Sequence, residues 1–185
     1  GQINEIGFSL YNELLERSVK ALRQGQIPEL DKPLEHGPEI DLNTPALIPD
    51  EYIEDVHLRL VIYKRIASEK SEDSLAMLKA ELIDRFGAIP EQTRDLFSIT
   101  ALKIIIKPLG IRKIDIREES GEITFDDNPN INLDRLINLV KTDPQQYHMK
   151  DNNKLIINTV SDKVVEKTTL IKNLVNELCK EEQAA

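Results

Sequence analysis

Tryptophan is absent from the 185 residues, and only four phenylalanines and four tyrosines are present, so any core must be built from leucine, isoleucine and valine. The single cysteine, Cys179, excludes an intramolecular disulfide and a thiolate metal cluster. That leaves Cys179 as a small apolar packing residue on a late helix. The seven glycines are scattered, and none belongs to a loop that runs into Lys and Ser or Thr at a helix start, so a phosphate cradle is excluded. No apolar run approaches the roughly 18 residues of a membrane span, and no basic-plus-apolar leader opens the chain; a cytoplasmic setting without a membrane partner is expected. The chain starts at Gly1 in mid-pattern, which reads as a piece cut from a longer protein.

Positive charge is also scarce, with 24 Lys and Arg against 33 Asp and Glu, a formal balance of −9. Binding duplex DNA requires clustered cations that replace phosphate counterions, so direct nucleic-acid binding is not expected. A basic protein surface is the more natural partner.

Helical spacing of Ile6, Leu10, Leu14, Leu15, Val19 and Leu22 predicts an amphipathic helix that ends at Gly25. Residues 26–44, with Pro28, Pro33, Pro38 and Gly37, read as a linker, with room for a short strand where Ile40 and Leu42 flank Asp41. A domain is expected over 45–185. Its first helix, capped by Asp50 or Asp55, carries Val56, Leu60, Tyr63 and Ala67 on one side and Leu58, Ile62 and Ile66 on another; two apolar faces predict a central, buried helix. Leu75, Leu78, Leu82 and Phe86 define a second helix closed by Gly87 in a left-handed cap. Leu96, Ile99, Leu102 and Ile106 define a third, stopped by Pro108 before Gly110.

The period then changes to two. Ile111, Ile114 and Ile116, followed by Ile123 and Phe125, predict a hairpin across Ser120-Gly121. Leu133, Leu136, Ile137 and Val140 predict a further helix. Tyr147 and Met149, a turn at Asp151-Asn152-Asn153, and Leu155 to Ile157 predict two more strands. A last helix, capped by Ser161-Asp162, carries Val164, Val165, Leu170, Ile171, Leu174 and Leu178. The fold class is α+β: a helical half followed by a small, mainly antiparallel sheet flanked by helices.

No catalytic constellation emerges. His36, His57 and His148 are far apart, and none has a second His at the spacing that presents two ligands on one helical face, so no metal site is expected. Asp50, Glu51, Glu54 and Asp55 cluster at a helix start, where the macrodipole favours carboxylates without any cation. Neither a cofactor nor a catalytic residue is assigned. On the second helix, Leu82 and Phe86 continue the apolar stripe, so Glu81 and Asp84 emerge side by side on a neighbouring face. Such a pair either solvates the helix, with Glu81 bonded to Arg85 at i, i+4, or meets a partner.

Two stretches carry a resemblance: the run from Thr44-Pro45-Ala46-Leu47-Ile48-Pro49 through Tyr63-Lys64-Arg65-Ile66-Ala67, and Glu81-Leu82-Ile83-Asp84-Arg85-Phe86-Gly87. Together they resemble the C-terminal domain of the bacterial transcription-repair coupling factor family. Residues 1–25 resemble the helical tail, or hook, of that family's translocase module. The resemblance implies a noncatalytic regulatory domain that docks on a UvrB-like N-terminal module of the same protein. Docked there, it would mask the UvrA-binding surface until stalled RNA polymerase is engaged, with Glu81 and Asp84 at the contact. An ATP site, if the parent has one, would lie outside this chain. The alternative is a mechanical element of a RecG-type translocase motor, carried by residues 1–25.

Overall fold

The sheet begins before the helices do. In the computed structural model, which describes residues 37–158, 161 and 163–179, β1 (Glu39–Asp41) precedes three helices, α1 (Val56–Ser68), α2 (Glu72–Phe86) and α3 (Glu91–Ile106). A short 3-10 turn (Lys107–Leu109) leads into β2 (Ile111–Ile116) and β3 (Ser120–Phe125). Then come α4 (Leu133–Thr142), β4 (Tyr147–Asp151), β5 (Lys154–Asn158) and α5 (Val164–Leu178). The expected helix at Ile6 to Leu22 and most of the expected linker lie outside the described residues. The last part of that linker joins the fold, because Glu39–Asp41 pairs with β2 and Leu42 is buried.

Strand order is β1-β2-β3-β5-β4. The β1–β2 pair is parallel, as the three-helix crossover between them permits, and every other pair is antiparallel. The fold is therefore α+β, with one strand contributed from ahead of the helical half. Ile114, Ile123, Leu155 and Met149 stand in one row across the sheet, and Ile116 and Ile157 share the next. These rows face α3, α4 and α5 in one core. A second core joins Ile48, Ile53, α1 and α2 to Phe97 of α3.

Helix α3 is thus the central one. It turns Ile99, Leu102 and Ile106 to the sheet core and Phe97 to the α1/α2 core. The expectation that α1 is central is corrected: α1 buries only Ile62 and Ile66, while Val56, Leu60 and Val61 are exposed. A helix that forms one wall of a small core needs only a narrow apolar stripe: Leu58, Ile62 and Ile66 supply it, and of the other stripe only Tyr63 packs against the core while Val56 and Leu60 stay outside.

Helix ends follow their local chemistry. Asp55 caps α1 by accepting from the Leu58 N–H at 2.7 Å, Ser71 caps α2 and Asn132 caps α4. Gly87 closes α2 with φ +85° and ψ −160°, a region open to glycine but distinct from the expected left-handed cap. At the last helix the residue flanking the first turn is Lys163; of the expected Ser161-Asp162 cap, Asp162 lies outside the described residues, and the Ser161 hydroxyl accepts the Lys163 N–H. The β2–β3 loop falls at 117–119, so Gly121 lies in β3 rather than in the turn. A β-carbon there would sit 3.1 Å from Ile116 Cγ1, which explains the glycine by close cross-strand approach.

Candidate functional site on helix α2

Leu75, Leu78 and Leu82 anchor α2 in the core, and this stripe fixes where Glu81 and Asp84 point. Glu81 is half-buried at the junction with α1, and Asp84 is exposed one turn further on. Met77, one turn before Glu81, is 74% exposed and adds apolar surface to this side of the helix.

The C-terminal end of α2 is tied to the segment ahead of α1 by hydrogen bonds and ring contacts. The Tyr52 hydroxyl donates to the carbonyls of Leu82 at 3.3 Å and Gly87 at 3.2 Å, and its ring meets Phe86 edge-on with centroids 6.0 Å apart. Burial pushes the Tyr52 phenol upward, keeping it a neutral donor. The Arg85 guanidinium lies 4.9 Å over the Phe86 ring. The segment carrying Tyr52 is tied in turn to the helices. Ile48 N–H donates to the Tyr63 hydroxyl at 2.6 Å, Thr93 donates to the Leu47 carbonyl, and Arg59 donates to the Ile53 carbonyl.

Glu81 is not a free carboxylate. Arg65, in the last turn of α1, donates to Oε1 at 2.7 Å and to Oε2 at 2.6 Å, a bidentate fork. Arg85 adds a third donor to Oε1 at 3.2 Å. The Arg65 hydrogen bonds are the main reason that the Glu81 carboxyl is pulled down to about 2, with a smaller contribution from Arg85. Asp84 makes no ion pair among the described residues. The formal charges of Arg65, Arg85, Glu81 and Asp84 cancel, so the patch is polar rather than strongly acidic.

Sequence reasoning found the two carboxylates and the local Arg85 partner but missed Arg65. An ion pair between two helices leaves no trace in the period of either one. Elsewhere, Asp55 of the acidic cluster is a helix cap, and no group of three or more His, Cys, Asp or Glu residues that could hold a metal occurs among the described residues. A depression between α4 and the end of α5 is lined by Asn132, Asp134, Arg135, Asn138 and Glu177. There Arg135 is engaged with the carbonyls of Glu177 and Cys179, a tie between helix ends. No helix among the described residues is long and apolar enough to cross a membrane.

The class defined is a small α+β domain: a mostly antiparallel five-stranded sheet under three helices, with a two-helix unit that presents the α2 surface. The family model of the TRCF domain matches residues 42–136, and the chain belongs to that family. It is 45% identical over 147 residues to the transcription-repair-coupling factor of Haemophilus influenzae, covering 80% of this chain and 13% of that protein. With the transcription-repair-coupling factor of Escherichia coli it shares 44% identity over 149 residues, again 80% of this chain and 13% of that protein. The chain thus spans 13% of the length of these relatives. A crystal structure of the C-terminal domain of transcription-repair coupling factor superposes with a TM-score of 0.65 at 19% identity, covering 80% of this chain and 96% of that one; this likeness concerns the fold.

Proposed function

We propose that residues 37–185, which take in the strand and the buried Leu42 ahead of the expected start at 45, act as a noncatalytic regulatory domain of a bacterial, cytoplasmic transcription-repair coupling factor. The domain docks on a UvrB-like N-terminal module of the same protein through the α2 surface bearing Glu81 and Asp84, and so masks the surface that binds UvrA. Engagement of stalled RNA polymerase releases it. Residues 1–25 are the tail of the translocase module, and 26–36, the part of the expected linker ahead of the domain, connect the two parts.

The observation that carries this reading is the placement of both carboxylates on the outward side of α2, inside the stretch matched by the family model, next to exposed Met77. Guanidinium groups suit such a surface because their planar fork meets a carboxylate bidentately. A lock of this kind needs roughly 5.5 kcal/mol of differential stabilisation to move from 1:99 to 99:1. A few charged contacts with an apolar rim are of that order, since close interfacial charge pairs couple by about 1.5–7 kcal/mol.

The test is to reverse both residues, Glu81→Lys with Asp84→Lys, in the full-length coupling factor and to measure UvrA affinity without polymerase or nucleotide. The reading requires tighter UvrA binding by the reversed protein. Equal affinities would remove these residues from the lock.

A further inference from the structure

We infer that Arg65 is a built-in competitor of the docking partner, occupying the Glu81 carboxylate whenever the domain is undocked and so setting how easily the lock engages. This rests on the docking reading above and adds its regulation.

A carboxylate offers about four lone-pair sites. Three are taken within the domain: Oε1 accepts from Arg65 and from Arg85, and Oε2 accepts from Arg65. The Arg65 fork lies along both oxygens, the arrangement an incoming guanidinium would need for itself. Only one bidentate partner fits that edge. Asp84, exposed and unpaired among the described residues, is available for the first encounter, and Glu81 becomes available by exchange.

Arg65 is well placed to let go. Its α-carbon is fixed in α1, whose anchors in the core are Ile62 and Ile66, while its side chain is 41% exposed. Swinging the guanidinium into solvent therefore opens no apolar contact between those anchors and the core. Glu69, at i+4 and also favouring the charged Arg65, offers an alternative partner once Glu81 is released. The exchange leaves the fold intact and costs one partly exposed ion pair.

The consequence is a change of sign. Removing a residue beside a docking site ordinarily weakens docking, whereas removing Arg65 strengthens it. The experiment titrates the 185-residue chain against the separately expressed UvrB-like module by calorimetry, using wild type, Arg65→Gln, Glu81→Gln, and Arg65→Gln with Glu81→Gln. Arg65→Lys, which keeps the charge and loses the fork, carries the comparison if Arg65→Gln fails to fold. The expected result is affinity raised about two- to fivefold by Arg65→Gln, the scale of one exposed ion pair. The gain should vanish in the Glu81→Gln background. An unchanged or weaker affinity for Arg65→Gln, or a gain that persists without the Glu81 carboxylate, overturns the competitor role and leaves docking standing. Absence of binding by both wild type and Arg65→Gln overturns the docking reading itself.

Discussion

The Nζ of Lys167, a residue only 2% exposed on α5, donates at 2.8 Å to the carbonyl of Leu42, which lies 125 positions earlier, directly after β1. One buried lysine thus fastens the first strand to the last helix. Its aliphatic stem fills core space while its ammonium meets a carbonyl. Lys167→Ala removes both and should destabilise the domain by about 2–4 kcal/mol, comparable to truncating a large buried side chain. Lys167→Met, which retains the stem, should cost less. Urea unfolding monitored by circular dichroism checks this; an unchanged midpoint for the alanine variant would contradict it.

Two leucines on neighbouring helices separate the core from its apparent extension. Leu82 is fully buried, so Leu82→Ala should cost about 2–5 kcal/mol. Leu60, 38% exposed, belongs to the stripe of α1 that the fold leaves mostly outside, and Leu60→Ala should stay within about 1 kcal/mol of wild type. Equal losses for the two variants would show that α1 buries the face that the structure exposes.

Element types were legible because periodicity changes where the structure changes, at Gly110 from helix to strand. Faces were less so. In α4 the expected stripe included Leu133 and Ile137, which are exposed, while Leu139 is buried; in α5 it included exposed Val165 and omitted Lys167 and Val175. A single helix with apolar residues on several sides does not reveal which side meets a neighbour, and a lysine in a core position hides the true stripe. At the candidate site, the outward placement of Glu81 and Asp84 followed from Leu75, Leu78 and Leu82. The fork from Arg65 depends on how α1 and α2 cross, which only the tertiary structure supplies.

Gly110 closes the 3-10 turn in the left-handed region, at φ +68°. A β-carbon there would also lie 3.0 Å from the Cα of Pro129, a backbone atom with little freedom to yield. Gly110→Ala therefore combines backbone strain with a clash and should cost about 1–3 kcal/mol. Gly37→Ala is the matched control, since a β-carbon added there would meet nothing within 4 Å and the φ of Gly37 is not positive. A thermal melt that drops for Gly110→Ala and holds for Gly37→Ala is the expected outcome. The opposite ranking would refute the argument.

Glu81 gives the domain a specific response to acid. Its carboxyl is held at about 2, below the ordinary 4.5, chiefly by the hydrogen bonds from Arg65 and then by that from Arg85. A depressed folded-state value means that the ionised form is favoured by folding. The contribution is fully present above about pH 4.5 and is lost as pH falls through about 2. Because both side chains of the pair are only partly covered, with Glu81 37% exposed, the pair is read most directly by titration rather than by stability. The Glu81 carboxyl carbon, followed by NMR, should titrate near 2 in the wild-type chain and move up toward 4.5 in Arg65→Gln. Arg85→Gln should move it less, because its bond at 3.2 Å is single and longer than either arm of the Arg65 fork. A midpoint near 4.5 in the wild type would mean that Glu81 stands free in solution and that the α1–α2 ion pair does not form.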